Sequence, residues 1–140
     1  MVLDLSALES SVRALERALG VTRDAAQWDV LSANAREAVR AGVIQTFEVA
    51  YEQSWKMLRR WLELNPMAGD ASVSTMRQVY RLAAKSGLID NVDLWMEFHA
   101  ARNQTAHTYN RKTAEDVFGL TAVFLPEARN TLAALEVRND

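Results

Sequence analysis

Apolar residues recur along the chain at alternating steps of three and four positions, which is the periodicity of an amphipathic α-helix. The first stripe predicts a helix that begins at a capping box of Ser6 and Glu9 and ends at Gly20 in the left-handed conformation. Its members are Leu5, Leu8, Val12, Leu15 and Leu19. Two prolines, five glycines and no alternating apolar and polar run leave little room for a sheet.

The longest apolar pattern places two stripes on one helix. They are Ile44, Phe47, Tyr51, Ser54, Leu58 and Trp61, and Val43, Ala50, Met57 and Leu64. A helix that is apolar on two sides is either central in its own fold or also supports a partner subunit. On the second alternative, Phe47 and Tyr51 would support a dimer interface. Pro66 ends this helix, while residues 21–35 fit a loop, a short helix or an early part of the same helix.

Three more helices are predicted after Pro66. The third covers about 74–86 and is closed by Gly87, and the fourth begins after Asp90 as its N-cap. The fifth starts at Thr113, with Asp116 completing a pair like a capping box, and Pro126 should kink it. Apolar positions continue to the end of this helix at Val117, Leu120, Phe124, Ala128, Thr131 and Leu135. The pattern therefore predicts an all-α, antiparallel up-and-down bundle of about five helices.

Composition narrows the class of protein. A chain of 140 residues that is 49% hydrophobic and 24% charged predicts one globular domain over 1–140. The lack of cysteine excludes disulfides, thiolate metal sites and cysteine catalysis. Neither a signal peptide nor a membrane-spanning stretch is visible, so we expect a cytoplasmic protein that does not insert into membranes. A net charge of −2 excludes a general polyanion binder, and any nucleic acid must meet a local basic face.

The segment "ARNQTAHTYN", residues 101–110, concentrates the candidate chemistry. On a continuous helix over 94–110, Arg102, Asn103, His107 and Tyr109 share one side, and His99 projects into the same arc. A guanidinium can hold a phosphodiester by two hydrogen bonds, and an imidazole with a pKa of ~6.5 can move a proton near neutral pH. Because RNA supplies its own 2′-hydroxyl nucleophile, such a pair could cleave RNA without a metal ion.

Other kinds of site are poorly supported. The polar set in this segment lacks a carboxylate pair and a second imidazole with obvious metal-ligand spacing, and the chain has no glycine-rich phosphate loop or serine-nucleophile elbow. We therefore predict neither a metal nor a cofactor. An arginine and a histidine at this spacing often occur together by chance. Arg102 and His107 could therefore also serve only in helix capping and surface hydrogen bonds.

The segment "RNQTAHTYN" resembles the signature of the HEPN (higher eukaryotes and prokaryotes nucleotide-binding) superfamily. With four residues between arginine and histidine, and a tyrosine two places later, it is most similar to the nucleotidyltransferase substrate-binding protein family. This family overlaps the HEPN toxins paired with a minimal nucleotidyltransferase. The resemblance extends to "LDLSALESSVRALERAL", "AVRAGVIQTFEVAYEQSWKMLRRWL" and "AAKSGLIDNVDLWMEFHAARNQTAHTYN". It is weakest over residues 20–40.

This resemblance implies an all-helical homodimer that is encoded beside a small nucleotidyltransferase. It implies that Arg102 and His107 are catalytic in a composite site across the dimer interface, that Asn103 assists them, and that Tyr109 can be adenylylated. The expected function is that of the ribonuclease toxin in a two-component toxin–antitoxin-like module. The alternative is a non-enzymatic subunit that presents a substrate or nucleotide to the nucleotidyltransferase.

Two other groups of residues have more than one interpretation. Lys56, Arg59 and Arg60 form either a solvated face or a strip that binds the phosphates of RNA or a nucleotide, and Glu52 could pair with Lys56 on the exposed helix. Trp55, Trp61 and Trp95 are expected to pack in the core or at an interface rather than to stack on bases. His99 is expected in a structural or solvent-facing position.

Overall fold

The computed structural model describes residues 2–72 and 75–139, which form a helical bundle. Within these ranges there are six α-helices and two short 3-10 segments at Pro66–Ala68 and Thr105–His107. The α-helices are α1 (Ser6–Arg23), α2 (Ala25–Trp28), α3 (Ala33–Leu64), α4 (Met76–Lys85), α5 (Val92–Gln104) and α6 (Arg111–Val137). Helix α3 packs against α1, α4, α5 and α6 and is therefore the central helix. The all-α prediction is confirmed.

Helix α1 buries the predicted stripe but has different ends. Ser6 is its first residue rather than its cap, and the Asp4 carboxylate accepts from the Ser6 backbone N–H at 3.0 Å. Glu9 instead forms an ion pair with Arg13. Gly20 does not end the helix, which continues to Arg23. The capping box and the glycine stop were both wrong, because a polar residue or a glycine near a helix end is only a local preference that packing overrides.

Residues 24–32 form a short helix and a turn before α3, one of the three alternatives that the sequence left open. The Asp24 carboxylate caps α2 by accepting from the Ala26 backbone N–H at 3.0 Å. The Ser32 hydroxyl caps α3 by accepting from the Ala35 backbone N–H at 3.1 Å. Pro66 lies just beyond the end of α3, as predicted.

The later helices agree with the prediction in position but not in their caps. Asn91, not Asp90, caps α5, and Asn110, not Thr113, caps α6. Asp116 pairs with Lys112 instead of completing a capping box. Pro126 lies inside α6 as predicted, while the kink stays a prediction. Helix α4 begins at Met76, and Ser74, where the third helix was expected to start, lies outside the described residues.

The aromatic core lies between α3, α5 and α6. Its rings have neighbouring centroids 5.0–6.4 Å apart and belong to Phe47, Tyr51, Trp95, Phe98 and Phe124. Phe47 and Tyr51 are 0% and 1% exposed within a single chain, so the expectation that they support a dimer interface was wrong. Trp95 is fully buried as expected, while Trp55 and Trp61 are partly buried and pack against the core.

Gly20 lies inside α1 and Gly87 lies just beyond the end of α4, so alanine should have opposite effects on stability at the two positions. Gly20→Ala should raise the free energy of unfolding by about 0.5–1 kcal/mol, because no neighbour lies within 4 Å of the added Cβ. Gly87 has φ of 78°, and its Cβ would lie 2.8 Å from Arg138 Nη2. Gly87→Ala should therefore lower the free energy of unfolding by about 1–2 kcal/mol. Urea unfolding measures the free energy of unfolding of both variants. An equal loss in the two would contradict the conclusion that only Gly87 requires a glycine.

Candidate functional site

The segment that follows α5 does not continue as a helix. Helix α5 ends at Gln104, and the 3-10 turn that follows includes His107. The Thr105 hydroxyl donates to the Arg102 backbone carbonyl at 2.7 Å, and Asn110 then caps α6. The prediction of one helix over 94–110 was therefore wrong after residue 104. The shared arc of polar side chains on that helix does not exist as predicted.

Arg102 lies on α5 and faces two carboxylates of α3. Its Nε donates to Glu52 Oε1 at 2.9 Å, its Nη2 lies 3.6 Å from Glu48 Oε1, and its Nη1 donates to Thr105 Oγ1 at 3.3 Å. The guanidinium is partly buried and is held in one orientation by these contacts. Glu52 therefore pairs with Arg102, and its expected surface pair with Lys56 is replaced.

The pairing of Glu48 and Glu52 with Arg102 was not predicted from the sequence. Their four-residue spacing places both carboxylates on one face of α3, which was the available signal. The residue that this face meets was not visible, because Arg102 is 50 positions away from Glu52. Since both carboxylates share one guanidinium, a phosphate that binds Arg102 must compete with them.

His107 is exposed and lies on the connection between α5 and α6. Its ring meets that of Tyr109 edge to face, with centroids 6.1 Å apart, and Tyr109 is 87% exposed. Among the described residues, no hydrogen bond, ion pair or ring contact joins His107 to Arg102. One chain therefore presents an anchored guanidinium and an accessible imidazole as separate groups.

Asn103 is exposed, and its side chain is connected to the core through His99. Asn103 Nδ2 lies 3.4 Å from His99 Nε2, and His99 Nδ1 lies 3.0 Å from the Tyr51 hydroxyl. The Tyr51 hydroxyl is also hydrogen-bonded to that of Tyr80. His99 is thus a partly buried structural residue. Burial raises the pKa of Tyr51 and the pKa of Tyr80 above their ordinary values, so both phenols stay protonated near neutral pH.

Tyr109 lines a groove of about 850 Å³ between the N-terminal half of α3 and the start of α6. Its apolar lining includes Ile44 and Phe118. The charged residues that line it are Arg36, Arg40 and Arg111, with Glu37 and Glu115. Arg36 and Arg40 both lie over the ring of Trp28, at 5.3 and 5.1 Å from its centroid. The sequence prediction missed this basic groove, although Arg36 and Arg40 have helical spacing.

The cluster of Lys56, Arg59 and Arg60 lies farther along α3. Lys56 and Arg60 are exposed. Arg59 donates to the Ser72 carbonyl at 3.2 Å and lies 3.5 Å from Glu63, so it already has partners. A role for this strip in binding phosphate stays a prediction.

The described parts of the chain contain neither a cluster of metal ligands nor a membrane-spanning helix. Over 2–72 and 75–139, no three histidine, aspartate or glutamate side chains are grouped as ligands of a metal ion. None of the helices in these ranges is both long and apolar enough to cross a membrane.

Residues 3–137 match the model of the family described as nucleotidyltransferase substrate binding protein like. The chain belongs to this family. It is also 30% identical to the protein named Probable ribonuclease HepT of Haemophilus influenzae, over 98% of its own length and 94% of that protein. The family resemblance found in the sequence is therefore confirmed.

Two solved structures resemble the bundle. One is a Haemophilus influenzae protein described as having the fold of a substrate-binding domain of a nucleotidyltransferase. Its TM-score is 0.89 at 29% identity, covering 95% of this chain and 99% of that one. The other is a Thermus thermophilus protein with a TM-score of 0.68 at 24% identity, covering 89% of this chain and 98% of that one. The second likeness concerns the fold alone.

Proposed function

We propose that this chain is the HEPN-type subunit of a two-component, toxin–antitoxin-like module with a minimal nucleotidyltransferase, and that it cleaves RNA without a metal ion. The observation behind the proposal is its similarity, over nearly its whole length, to a protein named as a probable ribonuclease. Arg102 and His107 are the residues that match the motif of active HEPN ribonucleases. We further propose that residues 1–140 act as one domain in the cytoplasm.

The proposed reaction is an attack of the RNA 2′-hydroxyl on the adjacent phosphorus atom. His107 accepts the hydroxyl proton, the new P–O2′ bond forms, and the P–O5′ bond breaks. The leaving 5′ oxygen takes a proton from water, and His107 returns its proton to the solvent, so the products are a 2′,3′-cyclic phosphate and a 5′-hydroxyl. Arg102 donates hydrogen bonds to the phosphate oxygens while negative charge increases there. The contacts with Glu52 and Thr105 hold the guanidinium before RNA binds, which lowers the cost of ordering it.

The test is incubation of the purified protein with single-stranded RNA in excess EDTA. Cleavage to a cyclic phosphate end at the same rate with and without EDTA supports the proposal. Loss of cleavage in EDTA, restored by a divalent metal ion, would contradict it. Cleavage should also depend on both Arg102 and His107.

A second candidate is the non-enzymatic subunit that presents a substrate or nucleotide to the nucleotidyltransferase. The pairing of Arg102 with Glu52 and Glu48 favours it, because these carboxylates offset the positive charge that cleavage needs to stabilise the additional negative charge of the transition state. On this hypothesis the wild type binds nucleotide or the nucleotidyltransferase in an Arg102-dependent manner and cleaves no RNA. Calorimetric titration beside the cleavage assay separates the two functions.

We also propose a homodimer that brings two sets of Arg102 and His107 together. The support is that His107 is exposed and makes no contact with Arg102 in one chain, so a second copy could complete the site. Sedimentation velocity should give a dimer of about twice the 15.7 kDa chain mass. A monomer that persists as concentration rises would contradict the composite site.

Tyr109 is the proposed acceptor of an AMP group from the cognate nucleotidyltransferase. Its hydroxyl is accessible, since the residue is 87% exposed. The added phosphate would bring negative charge beside the arginines of the groove and would obstruct RNA near His107. We expect incubation with the cognate enzyme and ATP to add AMP at Tyr109 and to stop RNA cleavage. Intact mass spectrometry measures the addition.

Tyr109→Phe is the matched control for this modification. It keeps the ring that meets His107 but lacks the oxygen that would accept AMP. The variant should fold, should stay unmodified and should continue to cleave RNA in the presence of the nucleotidyltransferase. A wild-type chain that remains unmodified by an active cognate enzyme would rule out this role for Tyr109.

A further inference from the structure

A chain of hydrogen bonds runs from the buried core to Asn103 and crosses three helices. Tyr80 of α4 is bonded to Tyr51 of α3, and the Tyr51 hydroxyl lies 3.0 Å from His99 Nδ1 on α5. His99 Nε2 then lies 3.4 Å from the Asn103 amide. The two phenols are 0% and 1% exposed, whereas Asn103 is exposed beside Arg102. The buried hydroxyls of Tyr80 and Tyr51 are therefore connected by hydrogen bonds to the exposed amide of Asn103.

The protons in this series of hydrogen bonds have two self-consistent arrangements when His99 is neutral. In the first, Tyr80 donates to Tyr51, Tyr51 donates to His99 Nδ1, and the imidazole proton is on Nε2. In the second, every bond is reversed: the imidazole proton is on Nδ1, Tyr51 donates to Tyr80, and Asn103 donates to Nε2. A neutral histidine can adopt either tautomer, and its partners select one.

The buried phenols select the first arrangement. Among the described residues, Tyr51 is the hydrogen-bond partner found for the Tyr80 hydroxyl. In the second arrangement the Tyr80 hydroxyl proton is buried without an acceptor, which disfavours that arrangement about fivefold or more. In the first arrangement both phenol protons have acceptors. The imidazole must then accept at Nδ1 and donate from Nε2.

We propose that His99 is a positioning residue that orients the Asn103 amide in the functional site. Because His99 Nε2 donates, the Asn103 atom that faces it must be the acceptor Oδ1. A 180° rotation of the Asn103 amide about its Cβ–Cγ bond places Oδ1 where Nδ2 lies, 3.4 Å from His99 Nε2. The Asn103 NH₂ group then points away from His99 and can donate to a bound phosphodiester. The contact with the substrate rests on the proposed function, whereas the orientation of Asn103 does not.

The tautomer of His99 is directly measurable. The chain has two histidines, so long-range ¹H–¹⁵N correlation spectra of the wild type and of His107→Ala assign the His99 ring. We expect the proton on Nε2. A proton on Nδ1 in the folded wild type would overturn the proposal, whatever activity the protein has.

Two variants that each remove one buried hydroxyl separate positioning from simple packing. In Tyr80→Phe, the Tyr51 proton still has His99 Nδ1 as its acceptor, so we expect the Nε2–H tautomer and unchanged RNA cleavage. In Tyr51→Phe, His99 Nδ1 loses its partner. We expect a measurable Nδ1–H population, a shift of the Asn103 side-chain amide signals and a fall in kcat of about fivefold with little change in KM.

The outcomes are distinct. Equal falls in kcat for Tyr51→Phe and Tyr80→Phe would indicate a packing effect and overturn the proposal, as would unchanged kcat and amide signals in Tyr51→Phe. If Tyr51→Phe does not fold, His99→Gln replaces it as the test, since its amide can still donate towards Asn103, and it should retain more activity than His99→Leu. If the wild type cleaves no RNA, the proposed function fails, and the tautomer and Asn103 amide signals still decide whether His99 positions Asn103.

Discussion

Replacement of His107 by alanine is expected to lower the rate of RNA cleavage by about 10²–10⁴-fold, the usual contribution of a general acid–base group. The imidazole is exposed and its described ring contact is with Tyr109, so its loss should change Tm by no more than ~2 °C. Cleavage of a labelled RNA and thermal unfolding measure the two quantities on the same preparation.

Two controls make the His107 result specific. Tyr109→Phe retains the neighbouring ring and should cleave at the wild-type rate. His107→Gln retains polarity but cannot move a proton near neutral pH, and should be as inactive as the alanine variant. Cleavage by His107→Ala at the wild-type rate would remove His107 from the reaction, whereas a wild type that cleaves no RNA would favour the presentation hypothesis.

Arg102→Ala should abolish cleavage as well. The free energy of unfolding of this variant must also be measured, because the substitution can lower stability as well as activity. The substitution leaves Glu48 and Glu52 facing each other without the guanidinium that joins them. Glu52→Gln is the matched variant, because its amide oxygen can still accept from Arg102 Nε. It should retain most of the activity, provided that the role of Glu52 is to orient the guanidinium.

Phe124→Ala is expected to cause the largest loss of stability, about 3–5 kcal/mol, which corresponds to a fall in Tm of about 10–20 °C. Phe124 is fully buried at the centre of the aromatic core. Its ring lies 5.1 Å from Phe47, 5.7 Å from Trp95 and 5.0 Å from Phe98, measured between centroids. Removing it leaves a cavity bounded by rigid rings from α3 and α5, which cannot collapse easily.

Phe118→Ala is the control on the same helix. Phe118 is partly buried and lines the groove beside Tyr109, so water can fill the space that its ring leaves. It should cost clearly less free energy of unfolding than Phe124→Ala. Urea unfolding of both variants gives the comparison, and equal losses would contradict the assignment of Phe124 as the centre of the core.

Much of the fold could be predicted because its signal is local. Leu8, Val12, Leu15 and Leu19 recur at helical spacing and are all at most 3% exposed in α1. Pro66 and Gly87 also end or follow helices as expected, since one lacks a backbone donor and the other has φ of 78°. The errors in the predicted N-caps of α1, α5 and α6 have a common cause. Several polar residues near each helix start could cap it, and packing decides where the helix begins.

The candidate site was predicted residue by residue but not in its arrangement. Arg102, Asn103, His107 and Tyr109 are neighbours in the sequence, so the motif could be found without a structure. Their expected arc on one helix was wrong because Thr105 bonds back to the Arg102 carbonyl as α5 ends, and Asn110 caps a new helix. Short polar side chains that bond to nearby backbone compete with a continuing helix.

The sequence by itself determined the helical periodicity and the buried faces, because these properties depend on residue types at fixed spacing, and its resemblance over several segments indicated the family. Only the tertiary structure decided which distant groups meet. Glu52 lies 50 positions from Arg102 and Tyr51 lies 48 positions from His99, yet both pairs are in hydrogen-bond contact where α3 packs against α5. Periodicity states which face of a helix is buried, but not which side chain of another helix it meets, because that depends on how the helices cross and on their relative register.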